Sequence, residues 1–262
     1  TCPYHNWSYS LNGELLAAPY LGGNKTELPQ DFKLEDNGLL EVQCQLFHDW
    51  LFVNLNGDME SFESFIEPLQ KQLADFNLDD FVVAASIEFD EIKTNWKLLM
   101  ENFIEPYHVQ FVHKTTTSQP LADHYVVEDE HCLGSAVDLT SEQKNKGKEG
   151  TLSVSSRYLT LFPNFVLGVY YPDQLGVHLN QPISAGTTHQ RRVIYQLKSI
   201  DQSADEIKKI RKLWISVHKE DHVICERLQQ GRHSDLSEQG GLLSPHWESS
   251  VRKFQELVAD SI

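Results

Sequence analysis

Residues 95–113 read NWKLLMENFIEPYHVQFVH, and this stretch combines a helical pattern with an abrupt break. Its apolar side chains recur at the spacing of one helix face: Trp96, Leu99, Met100 and Phe103. A helix is therefore predicted up to Pro106, with Asn102 and Glu105 together on a second, polar face. Polar groups at this spacing are aimed at a common point.

His108 and His113 follow directly and are candidate metal ligands. Five residues separate them, which is roughly 140° around an ideal helix, so both reach one ion only if the helix ends or distorts near Pro106 or between them. The alternative is that they are ordinary surface or hydrogen-bonded core histidines.

A long helix near the C-terminus supplies a third candidate. Ser203 and Glu206 form a capping-box pattern at its start, and Gly231 marks its end. Its apolar stripe steps by threes and fours through Ile207, Ile210, Trp214, Val217, Ile224 and Leu228. Asp221 fills the gap in that stripe, and a buried carboxylate needs a cation, strong donors or a metal. A salt bridge to a core Arg or Lys is the alternative.

Two neutral imidazoles and one carboxylate form the facial triad of non-haem Fe(II) oxygenases. His108, His113 and Asp221 supply that set. Cys225 is interpreted as a small buried hydrophobe. The remaining histidines away from the N-terminus have no comparable partners and are predicted to be ordinary: His48, His124, His131, His178, His189, His218, His222, His233 and His246.

The chain opens on Cys2-Pro3-Tyr4-His5, and a Cys and a His three apart on a tight turn can bind one metal or cluster. The turn dipeptide Asn12-Gly13 and the alternating residues 41–46 indicate a small β module that ends at about Asn56. The apolar run 50–55 is predicted to be a buried strand of this module.

Helical spacing over residues 59–76 and a strand at residues 81–92 mark the start of a second domain, so the predicted domains are 1–56 and 57–262. Strand patterns return at residues 158–171, 176–183 and 191–197, which favours an antiparallel meander. The polar segment between residues 114 and 156 is predicted to be partly structured or a lid. The predicted fold class is α+β.

Composition limits the possible functions. The chain of 262 residues has 22 Lys and Arg against 38 Asp and Glu, a net charge of −16, which argues against a nucleic-acid partner. No apolar run approaches the about 18 residues of a membrane span, so no membrane partner is expected. Four scattered cysteines favour a reducing compartment, and a cytoplasmic location is predicted.

Taken together, the motifs closely resemble the catalytic α subunit of Rieske non-haem iron oxygenases, the ring-hydroxylating dioxygenases and their monooxygenase relatives. The resemblance rests on Cys-Pro-Tyr-His-x-Trp-x-Tyr at the start, then Asn-Trp-Lys, Glu-Asn-Phe, Glu-x-x-His-x-x-x-x-His, and Glu220-Asp221 with Glu226 and Gln229 after it. The Glu-Pro-Tyr-His version looks more like the branch that oxidises choline, carnitine and glycine betaine.

That resemblance implies a residual Rieske β module followed by a helix-grip catalytic domain. It implies a mononuclear Fe(II) on His108, His113 and Asp221, and half of a Rieske 2Fe-2S site at Cys2 and His5. The other half is a Cys-x-His pair about twenty residues upstream in the family, which this chain does not contain, so we expect an N-terminal part to be missing.

In the family, the carboxylate at the Glu105 position bridges to a Rieske His of the neighbouring subunit and carries electrons, and Asn102 is expected to face the substrate. The implied partners are O2, a small organic substrate and an NAD(P)H-dependent reductase or ferredoxin, in a homotrimer or larger assembly. Two alternatives remain open: a zinc metallohydrolase that uses Glu105 as general base, and a helix-grip module that binds a ligand without chemistry.

Overall fold

The structure is a computed structural model that describes residues 1–58, 61–116, 119–138, 155–170 and 172–262. Its contacts divide the chain into two units, Thr1–Phe62 and Glu63–Ile262. The predicted domain boundary after residue 56 falls a few residues before this division. None of the helices in the described ranges is long and apolar enough to cross a membrane.

The first unit is built on two short antiparallel ribbons. Strands β1 (Ser8–Tyr9) and β2 (Leu15–Ala17) form one, and strands β3 (Gln43–Phe47) and β4 (Trp50–Asn54) form the other. Gly13 closes the first turn with a φ of +85°, a conformation that glycine adopts without strain.

The prediction of a buried strand at residues 50–55 is wrong. Leu51 is 62% exposed and Val53 is 52% exposed. Among the described strands, β4 pairs with β3 alone, so its side chains alternate between a half-covered and an open face.

The second unit contains a seven-stranded antiparallel sheet, which confirms the α+β class and the meander. Its strand order is β5-β11-β10-β9-β8-β7-β6. The strands are β5 (Phe81–Ile92), β6 (His124–Asp129), β7 (Cys132–Val137), β8 (Ser156–Leu161), β9 (Phe165–Tyr170), β10 (Gln174–Ser184) and β11 (Thr187–Leu197). The predicted strand at 81–92 has the observed bounds, and the predicted run 158–171 is two strands. Of the polar segment, 124–137 contributes strands, and residues 139–154 lie outside the described ranges.

Five α-helices lie within the described residues. They are α1 (Phe62–Gln72), α2 (Trp96–Ile104), α3 (Val109–Val112), α4 (Ala204–Gly231) and α5 (Ser249–Asp260). Half of the predicted capping box is present at α4: the Ser203 side chain accepts from the Glu206 N–H at 3.4 Å. The Ser203 N–H donates instead to Asp201 Oδ1 at 2.9 Å.

The buried face of α4 differs from the predicted stripe. It consists of Ile210, Trp214, His218, Asp221 and Cys225, whereas Leu228 is 49% exposed. A stripe in steps of three and four residues drifts around the helix. The observed buried face is therefore centred on His218 and Asp221 and not on the predicted apolar residues. Asp221 and Cys225 are buried, as predicted. His218, which was predicted to be an ordinary histidine, lies in the core.

Helix α4 lies close against the sheet at Gly176. A Cβ on Gly176 would lie 2.6 Å from the Trp214 ring, so only glycine allows this approach. An apolar cluster packs α2 and α5 against the sheet; it consists of Met100, Ile104, Leu133, Val166, Val251 and Phe254. These two contacts hold the C-terminal end of α2 and the middle of α4 against one face of the sheet.

Candidate metal centre

The break after α2 brings two histidines together. Glu105 ends the helix in an extended conformation with φ −102° and ψ 144°, as expected for the residue before a proline. His108 and His113 then bracket the one-turn helix α3, and their ring centroids are 5.4 Å apart. The helix therefore ends near Pro106, which is the condition that their spacing requires.

Asp221 reaches this pair from α4. Its Oδ1 lies 3.0 Å from His113 Nε2 and 3.7 Å from His108 Nε2, and one ligand atom from each residue lies within 4.8 Å of the other two. Oδ1 is fully buried and accepts no hydrogen bond from the described residues. No Lys or Arg of the described chain forms a salt bridge with Asp221, whose charged contacts are His108 and His113. The described residues therefore do not contain the core salt bridge that was the alternative.

Two further carboxylates orient the imidazoles. Glu105 Oε1 lies 2.5 Å from His108 Nδ1, and Glu220 Oε2 lies 2.8 Å from His113 Nδ1. Thr116 Oγ1 donates to the same Glu220 oxygen at 2.8 Å. A carboxylate that accepts from Nδ1–H leaves the Nε2 lone pair free for a metal, the usual support of a metal-bound histidine.

The electrostatics agree with a site built for a cation. Burial raises the pKa of Asp221, but His113, His108 and Arg192 outweigh that effect and the net shift is downward. For His113, burial lowers the pKa, while Asp221 and Glu220 raise it to a net upward shift. Positive charge is thus favoured at the point that the three ligand atoms share. The donor set of two imidazole nitrogens and one carboxylate suits Fe(II) and Zn(II) alike.

The start of α2 is tied to α4 below the site. Glu226 accepts from the Lys93 N–H at 3.1 Å, and Gln229 accepts from the Asn95 N–H at 2.8 Å. Asn95 itself caps α2, because its side chain accepts from the Lys97 N–H. These contacts give a structural role to Asn95 and to the two polar residues after Asp221: they tie the start of α2 to α4, which carries Asp221.

The other predicted site residues lie as follows. Asn102 is half-buried in α2 and makes no side-chain hydrogen bond within the described ranges. Cys2 and His5 are in the first unit, on a turn closed by a hydrogen bond from the Asn6 N–H to the Cys2 carbonyl at 3.0 Å. Cys2 is half-buried and carries a free thiol, and His5 is exposed.

Several histidines predicted to be ordinary lie in a buried polar set. Cross-strand partners His178 on β10 and Arg192 on β11 face α4 together with Gln190, and His218 and His222 extend from the helix. We call these five residues the Arg192 cluster. The sequence did offer a signal for the burial of His218: it lies four residues after Trp214 and three before Asp221, and so on the same face of the helix.

Comparison with protein families gives one match that covers most of the chain. The family described as "Ring hydroxylating alpha subunit (catalytic domain)" matches residues 78–262.

Curated relatives include both aromatic and quaternary-ammonium oxygenases. The chain is 35% identical to the large oxygenase component of salicylate 5-hydroxylase from Ralstonia sp. over 120 residues. This alignment covers 43% of this chain and 28% of that protein. It is 27% identical to chloroplastic choline monooxygenase from Atriplex hortensis over 93% of this chain and 55% of that protein. It is 24% identical to the glycine betaine monooxygenase oxygenase subunit of Pseudomonas aeruginosa over 99% of this chain and 68% of that protein. The chain thus spans about half of the length of such relatives.

Solved structures share the fold. The quaternary ammonium Rieske monooxygenase CntA aligns with a TM-score of 0.78 at 20% identity, over 99% of this chain and 71% of that chain. Naphthalene 1,2-dioxygenase aligns with a TM-score of 0.70 at 17% identity, over 97% and 71%.

Proposed function

The chain belongs to the family of ring-hydroxylating α subunits, and we propose that it is part of an oxygenase component that hydroxylates an organic substrate at a mononuclear Fe(II). The observation that carries the proposal is the buried convergence of His108, His113 and Asp221, with one ligand atom of each within 4.8 Å of the others. These three side chains would hold the Fe(II), and the bound ion would supply the chemistry that activates O2, with electrons from outside the chain.

The residues of this chain would hold and orient that ion. Glu105 and Glu220 fix the tautomer and direction of the two imidazoles through 2.5 Å and 2.8 Å contacts. Asp221 is only 9% exposed, and this burial limits access of water to the site. Asn102, half-buried on α2 without a partner among the described residues, is proposed to face the substrate.

Glu105 is proposed to have a second role as the electron bridge. Its Oε1 contacts His108 Nδ1 and its Oε2 accepts from the His108 N–H at 3.1 Å. Each carboxylate oxygen accepts more than one hydrogen bond, so Glu105 retains capacity for a Rieske histidine of a neighbouring subunit. A charge-assisted bridge of this kind would link the two iron centres.

The Rieske 2Fe-2S cluster is proposed to be held in part by Cys2 and His5. Their turn presents a thiol and an imidazole three residues apart, which is half of the ligand set of such a cluster. The remaining Cys and His would come from sequence upstream of Thr1. A bridge across subunits requires an assembly, and we propose a homotrimer or larger.

The substrate would be an aromatic compound, which undergoes ring dioxygenation, or a quaternary ammonium compound, which undergoes monooxygenation. Relatives named for salicylate, choline and glycine betaine support this range. Electrons would come from an NAD(P)H-dependent reductase or a ferredoxin. We place the protein in the cytoplasm, where four scattered cysteines stay reduced.

Metal analysis and coupled turnover of the full-length protein test the proposal. Anaerobically purified enzyme should contain about one mononuclear iron per triad, and O2 uptake with NAD(P)H and a reductase should depend on substrate. Exchange of His108 for Ala should remove both. Zinc in the triad together with hydrolysis independent of O2 would establish the metallohydrolase instead. A triad that binds no metal in the wild-type protein would leave a ligand-binding module.

A further inference from the structure

The Arg192 cluster places a buried cation beside the metal centre. Arg192 is 5% exposed. Its Nε donates to Gln190 Oε1 at 2.8 Å, and its Nη1 donates to His178 Nε2 at 3.0 Å. Both acceptors are neutral, since an imidazole that accepts at Nε2 is unprotonated there. Arg192 therefore has hydrogen-bond partners but no directly paired anion within the described ranges.

Donors in the cluster remain unused. A guanidinium has five N–H groups, and Nη2 of Arg192 has no acceptor in the described part of the chain. His218 is 2% exposed, and neither of its ring nitrogens has a partner there. Buried polar groups without partners are costly and rare, and they point to a ligand or water that completes them.

These unused groups lie near the metal centre, close enough for Arg192 and Asp221 to shift each other's pKa. His218 is three residues before Asp221 on the same buried face of α4. Its ring centroid lies 5.5 Å from that of His178, which in turn lies 5.0 Å from Phe103 on α2. Trp214 and Tyr170 stack edge-on at 4.6 Å and give this region an apolar wall. A polar end and an apolar wall suit an organic molecule with one charged group.

The charges favour an anion. Burial lowers the pKa of Arg192 to about 9, although Asp221 and Tyr170 raise it, so the guanidinium stays charged at neutral pH. Burial and Arg192 hold the pKa values of His178 and His218 well below their usual range, so both rings are neutral. None of the other four residues of the cluster carries a negative charge that could compensate Arg192.

We propose that Arg192 binds the carboxylate group of the substrate, with His218 as a second donor, so that the oxygenase acts on carboxylate-bearing compounds. That the bound molecule is a substrate rests on the proposed function. The anion site itself can be tested without turnover. A planar guanidinium pairs with a carboxylate through parallel hydrogen bonds. A cation without a carboxylate would meet an uncompensated positive charge in the same place.

Calorimetric titration of the full-length, iron-loaded enzyme without O2 tests the site with matched probes. Benzoate should bind at least about tenfold more tightly than benzamide, or glycine betaine at least about tenfold more tightly than choline, as expected for hydrogen bonds to a charged group. The pair that binds identifies the rest of the substrate as aromatic or quaternary ammonium. Equal affinity within both pairs, or preference for benzamide or choline, would overturn the proposal.

Arg192→Gln, with Arg191→Gln as control, locates the site. Arg191 is the neighbouring residue with a side chain 54% exposed on the opposite face of β11. Arg192→Gln should remove the preference for the carboxylate, and Arg191→Gln should keep it. If Arg192→Gln does not fold, His218→Leu replaces it and should weaken carboxylate binding severalfold. Carboxylate binding that is unchanged in the folded variant, or that disappears when the metal is chelated, would assign the anion to the ion and overturn the proposal.

Turnover separates this inference from the one on which it rests. Carboxylate binding that depends on Arg192, in a protein without O2 uptake, would keep the anion site and reject the oxygenase. O2 uptake with substrates that lack a carboxylate, without preference for those that carry one, would keep the oxygenase and reject the anion site.

Discussion

Two groups of three metal-ligating side chains occur in the described chain, and they differ in burial and support. The inner triad, His108, His113 and Asp221, is buried or half-buried, and each imidazole has its own orienting carboxylate. The outer group, Glu88, Asp90 and His189, brings ligand atoms equally close together, yet the Asp90 side chain is 95% exposed. Closeness of ligand atoms is thus a weak indication of a metal site; burial and fixed orientation distinguish the two.

The difference follows from where each group lies. The outer group belongs to β5 and β11, where alternate side chains project to solvent, and water and salt screen its charges. The inner triad joins the two ends of α3 to α4 in a buried region, where desolvation makes a lone carboxylate costly and a bound cation favourable. The same residue types therefore form a solvated ion-pair network on one face and a candidate iron site on the other.

The largest contrast is expected from loss of a carboxylate at each group. Asp221→Ala should abolish iron binding and turnover, because two imidazoles alone hold Fe(II) weakly. Asp90→Ala, the matched change, should leave about one iron per triad. Metal analysis of both variants measures the difference, and iron lost from Asp90→Ala would remove the distinction between the two groups.

Glu105→Gln is expected to separate metal binding from electron supply. The amide oxygen can still accept from His108 Nδ1–H, so iron content and the cluster signal of the full-length enzyme should persist. Most turnover should be lost, with reduced clusters no longer reoxidised by O2 and substrate. Stopped-flow absorbance of the cluster gives the measurement.

Glu88→Gln is the control for this change and should turn over normally. Loss of iron from Glu105→Gln would instead make Glu105 a ligand, and near-normal turnover would reject the electron bridge.

A smaller effect is expected at Glu220, which orients His113. Glu220→Ala removes the acceptor for His113 Nδ1 and Thr116 Oγ1, and loss of such an outer partner lowers metal affinity about 10- to 100-fold. Competition with a chelator measures that affinity. An unchanged affinity would mean that packing alone holds His113 in place.

The smallest effect is expected on the outer face. His189→Gln removes contacts of 3.3 Å and 3.9 Å to Glu88 and Asp90, and a surface change of this kind alters the free energy of unfolding by no more than about 0.5 kcal/mol. Urea denaturation gives the value, with iron content as the second reading. A loss well above 1 kcal/mol would show that the outer group contributes to the fold.

The sequence predicted the elements whose pattern is local. Strand β5 was predicted with its observed bounds, and the Ser203 cap located the start of α4, because alternation and capping depend on neighbouring residues alone. The family resemblance, now confirmed by the family match, brought three distant residues into one predicted site. The structure places them together, and their role as iron ligands stays a prediction.

What could not be predicted depends on which face points inward. Arg191 and Arg192 are adjacent and chemically identical, and only the position of β11 against α4 makes the second a buried residue. His218 was missed because the apolar stripe of α4 was assigned from its hydrophobic residues, and a polar residue at its centre does not register in such a pattern. The exposed side of β4 was missed since an apolar run does not reveal how many strands flank it.

The contact of His113 with Glu220 joins residues 107 positions apart, and an ion on the inner triad would tie together the same two segments. Such an ion binds the folded chain but hardly the unfolded one, so it adds folding free energy that grows with the logarithm of its free concentration, about 2.7 kcal/mol at a hundred times the dissociation constant. Iron supply would then regulate how long the protein survives proteolysis as well as how fast it works. In an iron-starved cell, the empty chain would be removed rather than stored.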